Sequence, residues 1–84
     1  MHKTHLDIVP RLKRAEGHLR AVIAMFEQDK SCMEIAQQLH AVEAAVGKAK
    51  KELIHDHIEH CIEDGGGADG KRALNELKQL AKYL

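Results

Sequence analysis

The sequence predicts an all-α fold, a protomer of three helices with one long central helix. Three observations lead there. A chain of 84 residues has room for one domain, 1–84, and at this size folding buries only about 60% of the surface the unfolded chain exposes, so a lone monomer is marginal. Phe26 and Tyr83 are the only aromatic residues apart from histidines, which leaves the core to Leu, Ile, Val and Ala. Those apolar residues recur every three or four positions, the period of helices packed on helices.

In the first helix the apolar positions from Ile8 onward are Leu12, Ala15, Leu19, Val22, Ile23 and Phe26. Pro10 is expected in its first turn, where the missing N–H costs nothing, with Asp7 or Thr4 as the cap. Gln28-Asp29-Lys30-Ser31 reads as a turn, and Ser31 with Glu34 has the form of a capping box that opens the second helix. Between Cys32 and Ile62 only Gly47 interrupts good helix formers, and Ile35, Leu39, Val42, Val46, Ala49, Leu53 and Ile58 continue the apolar pattern, so one long rod is expected. Gly65, Gly66 and Gly67 should end it. A short third helix with Leu74, Leu77, Leu80 and Leu84 follows the Asp69-Gly70 turn.

Formal net charge is zero, but the charge is segregated. Between Lys3 and Arg20, Lys3, Arg11, Lys13, Arg14 and Arg20 outnumber Asp7 and Glu16, and Lys48, Lys50 and Lys51 cluster in the second helix. Every charged residue from Glu52 to Asp69 is acidic if histidine is counted neutral. Arg11, Arg14 and His18 share one helical face, and Lys48 and Lys51 share another. Cations so grouped suit the phosphates of duplex DNA and give salt-dependent affinity. There is no aromatic platform for stacking single-stranded bases. With no apolar leader, no membrane-length apolar run and no disulfide-scaffold spacing, a cytoplasmic location is expected.

His57 and Cys61 are four residues apart, hence one turn apart on the same helical face. Thiolate with imidazole suits Cu(I), Ni(II), Co(II) or Zn(II) and does not suit Mg or Ca. Two ligands rarely hold a metal specifically, and Cys32 is the candidate third. It precedes His57 by 25 residues, roughly 37 Å along a helix, so one chain cannot close the site. Two copies of the long helix packed antiparallel, crossing near Ala44-Ala45-Val46-Gly47, would bring Cys32 of one level with His57 and Cys61 of the other. The small residues at that crossing favour close approach. His2, His5 and His60 are possible additional ligands. No nucleophile has a positioned base, so catalysis is not expected. A metal-buffering bundle without a DNA role is the reading from another class, and two cysteines give it little capacity.

The run Arg11-Leu12-Lys13-Arg14-Ala15-Glu16-Gly17-His18-Leu19-Arg20, then Cys32, then Gln37-Gln38-Leu39-His40-Ala41-Val42, then His57-Ile58-Glu59-His60-Cys61 resembles the CsoR/RcnR/FrmR family of bacterial repressors over nearly the whole chain. The Cys, His, Cys spacing resembles its copper-sensing branch. The resemblance implies an antiparallel dimer assembling into a tetramer, which binds operator DNA when metal-free and releases it when Cu(I) occupies Cys32, His57 and Cys61, turning on metal efflux genes. It places Arg11 and Lys48 at DNA, to which the helical faces add Lys13, Arg14 and Lys51, and it makes Glu76 an acid supporting the metal site. A nickel or cobalt sensor using N-terminal histidine is the alternative. A persulfide, thiol or formaldehyde sensor is a further one, with a Cys32–Cys61 link between subunits left open.

Overall fold

The computed structural model describes the backbone of residues 3–63 and 70–84 and the side chains of residues 5–60 and 70–84. His2 and the glycines at 65–67 lie outside the described residues, as does the side chain of Cys61. Helix α1 spans Lys3–Glu27, α2 spans Cys32–Glu63, and α3 spans Gly70–Leu80 and runs into a 3-10 turn over Ala81–Tyr83. No strand occurs among the described residues. The three-helix architecture with one long central helix is therefore as the sequence predicts.

Helices α1 and α2 form an antiparallel hairpin inside a thin body of 58 × 23 × 13 Å. Its core follows a period of seven: Ile8, Ala15 and Val22 are buried on α1, and Ile35, Val42 and Ala49 on α2. A seven-residue repeat keeps one narrow seam facing its partner along two coiled helices. Val22, only 1% exposed, packs with Ile35 and Val42, and Met25 lies against them. Most apolar residues of the sequence pattern on α1 and α2 thus divide into two ladders, with the exposed Ile23 and the half-buried Ile58 in neither. Leu12, Leu19 and Phe26 on α1, and Leu39, Val46 and Leu53 on α2, repeat with the same period and remain exposed.

The turn has a defined geometry. Asp29 adopts a left-handed conformation, φ 56°. The Lys30 N–H donates to the Met25 carbonyl at 3.1 Å and the Asp29 N–H to the Phe26 carbonyl at 3.3 Å, a Schellman ending that satisfies the last carbonyls of α1. Two residues later the Glu34 N–H donates to Ser31 Oγ at 3.1 Å, so Ser31 caps α2 as its sequence context predicts.

Two sequence expectations need correction. Pro10 lies inside α1, which spans Lys3–Glu27, so neither Asp7 nor Thr4 is the cap. The proline leaves the Leu6 carbonyl without its helical partner, and this is tolerated on an exposed stretch where Leu6, Val9 and Pro10 all face solvent. Gly70 is the first residue of α3 rather than part of a preceding turn.

Candidate metal centre and candidate nucleic-acid interface

Cys32 is the first residue of α2 and is an exposed free thiol, while His57 and the backbone of Cys61 belong to the opposite end of the same helix. Within one chain the fold keeps these positions apart, as the helix-length argument requires. Among the described residues no group of three or more His, Cys, Asp or Glu converges on a metal-sized site.

The His57 end is nonetheless structured. His57 Nε2 is shielded from solvent and lies 3.0 Å from Glu76 Oε1 on α3, without the angular alignment of a hydrogen bond. His5, Leu53, Ile54, Asp56, His57, Glu76 and Leu80 surround a cavity of about 200 Å³ where α1, α2 and α3 meet. Glu76, expected to support the metal site, is thus placed against the imidazole, and His5 lines the same cavity. His60 turns back on its own helix, with Nδ1 2.8 Å from the Asp56 carbonyl and 3.4 Å from Asp56 Oδ1. His55 is exposed.

Asp56 is a residue the sequence reading missed. It is only 9% exposed, at the next seven-residue step after Ile35, Val42 and Ala49. That periodicity was available in the sequence, and it assigns this acid to the inner seam at the point where the aliphatic core ends.

On the opposite edge of the hairpin, Arg11, Arg14, Ala15, His18, Ala45 and Lys48 line an open groove of about 340 Å³. The predicted cations Arg11, Arg14 and Lys48 are therefore brought together across the two helices. His18 joins them, its Nε2 2.7 Å from Gln38 Oε1. Lys13 and Lys51 are exposed and lie outside the groove lining.

One acid interrupts this cationic surface. Arg11 hydrogen-bonds and ion-pairs with Glu52 across the hairpin, both side chains about one third exposed (36% and 34%). The hydrogen bond from Arg11 holds the Glu52 carboxyl below its usual range, with Arg11 and Lys48 charge acting in the same sense, and Glu52 in turn raises Arg11. Glu52 was also not singled out from the sequence. Its only local signal was the four-residue spacing to Lys48, because the Arg11 pairing depends on the register of the hairpin.

A family model described as metal-sensitive transcriptional repressor matches residues 4–83. The copper-sensing transcriptional repressor CsoR of Bacillus subtilis (strain 168) is 40% identical over 77 residues, covering 90% of this chain and 76% of that protein. The copper-sensing transcriptional repressor RicR of Mycobacterium tuberculosis is 40% identical over 68 residues, 75% of this chain and 71% of that one. Among solved structures, the nickel-responsive transcriptional regulator InrS superimposes with a TM-score of 0.83 at 33% identity, covering 94% of this chain and 91% of that chain.

Proposed function

The chain belongs to the family of metal-sensitive transcriptional repressors, in its CsoR/RcnR group and nearest the copper-sensing branch, and from that premise we propose that it senses Cu(I) at a site shared between two protomers. It is a metal-responsive repressor and not an enzyme, as its relatives are repressors. In the proposed assembly residues 1–84 act as one domain. Cys32 of one protomer joins His57 and Cys61 of the other, and dimers pair into a tetramer whose Arg11, Arg14 and Lys48 meet operator phosphates, with Lys13 and Lys51 at the margin.

The observation that carries this reading is the outer apolar ladder. Leu39, Val46 and Leu53 are exposed at heptad spacing, and Val46 stands midway between Cys32 and His57–Cys61 along α2. A second copy laid antiparallel over that ladder both covers the apolar surface and makes the two halves of the ligand set adjacent. Gly47 beside it has open space around its Cα, with nothing within 4 Å of where a Cβ would stand, which suits close approach at the crossing.

The residues present fit a soft metal. Two thiols and an imidazole are the donors Cu(I) prefers. Glu76 occupies the Nε2 side of His57, which leaves Nδ1 as the ligand nitrogen and supplies the carboxylate that metal-bound imidazoles commonly carry on their far side. Tying two subunits at both ends of the long helices would favour one quaternary shape, and metal and operator would then weaken each other's binding by the same factor.

Nickel sensing is the second reading, favoured by His5. Its place in the cavity with His57 and Glu76 offers an additional nitrogen near the site, as the harder, higher-coordinate Ni(II) requires. Anaerobic titration of the reduced protein with Cu(I) and separately with Ni(II), following absorption and operator binding together, decides between them. One Cu(I) per chain with DNA release supports the proposal. Release by Ni(II) alone moves the assignment to nickel, and release by neither moves it to thiol chemistry at Cys32 and Cys61. Cys32→Ala is expected to bind operator and to ignore the metal.

A further inference from the structure

The Arg11–Glu52 contact is not explained by the proposed metal site. Four of the groups lining the groove, Arg11, Arg14, His18 and Lys48, can offer donors or positive charge to a phosphate. Glu52 does the reverse. It lies beside the groove with Asp7, Pro10, Arg11 and Arg14 in an adjoining recess, paired with Arg11 from the opposite helix and one helical turn from Lys48.

We propose that Glu52 sets the affinity of the DNA interface: it holds the Arg11 guanidinium in the groove, and each Arg11 that meets a backbone phosphate must first leave this carboxylate. The proposal rests on the operator-binding reading above. Three features support it. The pair spans α1 and α2, so Glu52 orders Arg11 near Lys48 and Arg14 in the free protein. Both side chains are about one third exposed, so a phosphate can reach Arg11 from solvent without unfolding the hairpin. A guanidinium also accepts carboxylate and phosphate with the same fork of donors, so the two anions compete directly.

The competition has a signature in salt dependence. A free cation that neutralises a DNA phosphate releases about 0.9 of a counterion. When Arg11 is taken from Glu52, the bared carboxylate recruits a cation in exchange, so net release at that contact falls toward zero. Glu52→Gln keeps the side-chain size and a carbonyl acceptor for Arg11 while removing the competing charge. It is expected to steepen the plot of log affinity against log salt by about 0.9 for each Arg11 at a phosphate. Binding at 0.15 M salt should tighten about three- to fivefold per such contact, the scale of an exposed ion pair.

The probe is a fluorescein-labelled duplex selected from a random-sequence library by the metal-free wild-type protein. Binding is followed by anisotropy from 0.05 to 0.3 M NaCl for wild type, Glu52→Gln, Arg11→Gln and the double variant, with circular dichroism confirming equal helix content. A steeper slope and tighter binding in Glu52→Gln, with most of the gain lost when Arg11 is also Gln, supports the proposal. An unchanged slope in Glu52→Gln, while the wild type binds its duplex, overturns it and leaves the repressor reading standing. A gain of the same size in the Arg11→Gln background also overturns it, because Glu52 would then act as a simple repeller of DNA. Failure of the wild type to select any duplex removes the operator reading and this inference together.

Discussion

The contact between His57 and Glu76 gives the sharpest test of the proposed metal site. Replacing Glu76 by Gln leaves the side-chain length and removes the charge lying 3.0 Å from His57 Nε2. In the proposed site a metal held through Nδ1 would draw electron density from the ring and make it cationic in character, and a carboxylate at that distance would stabilise it. For full unit charges the attraction is about 1.4 kcal/mol in a water-like medium and about 5.5 kcal/mol at an effective dielectric of 20. The Glu76 side chain is 52% exposed and that of His57 37%, so the lower figure applies. It corresponds to about a tenfold loss of affinity, the low end of the range for carboxylates behind metal-bound histidines. Anaerobic competition with a chromophoric Cu(I) chelator measures it directly, with operator binding by the metal-free variant as the control. About tenfold weaker Cu(I) binding with unchanged DNA affinity is expected. A Cu(I) affinity within twofold of wild type would refute the argument, because the carboxylate would then stand near the ring without acting on it.

Ser31→Ala removes the acceptor of the Glu34 N–H and should cost about 1 kcal/mol of stability, read by urea unfolding at fixed protein concentration. Val46→Glu places a charge in the middle of the outer ladder, and sedimentation velocity should show a shift toward smaller species and weaker metal binding, since the ligand set would no longer be assembled. The Arg11–Glu52 pair gives a pH signature of known sign. The carboxyl is lowered in the folded state from its ordinary value of 4.5, so its contribution is fully present above that value and is lost as pH falls through the lower folded value. Comparing wild type with Glu52→Gln from pH 7 to pH 3, the stability difference should hold at the upper end and shrink below about pH 4.5.

Most of the fold was legible because helical periodicity is a property of the local sequence. The turn at residues 28–31, the Ser31 cap and the uninterrupted run from Cys32 can all be read residue by residue. Pro10 departs from a local rule that places proline in a first turn: the helix extends back to Lys3, and the Leu6 carbonyl that loses its helical partner belongs to an exposed stretch that water can reach. The division of apolar residues into two ladders was harder to see, since Leu12 and Ile8 have the same chemistry and differ only in which side of the hairpin they occupy. Of the candidate sites, Arg11, Arg14 and Lys48 were recognisable as cations on faces, with His18 on the face of the two arginines. Glu52, which modifies them, was not, because its partner lies 41 positions away in sequence. Cys32 and His57 stand toward opposite ends of α2, so no geometry within one protomer brings them together, and the proposal that a second chain does so rests on their spacing along the helix.

The hairpin register has a consequence for how such a chain can change length. The buried positions lie symmetrically about the turn, Val22 matching Ile35, Ala15 matching Val42 and Ile8 matching Ala49. The outer ladder keeps nearly the same symmetry through Leu19 with Leu39 and Leu12 with Val46. One residue inserted within either helix would rotate everything beyond it by about 100°, moving one ladder off its seam and carrying Arg11 away from Glu52 or His57 away from Glu76. Inserting a full heptad would preserve the seams but lengthen the spacing between Cys32 and His57. Insertions and deletions within the two long helices should therefore be tolerated far less well than changes of length outside them.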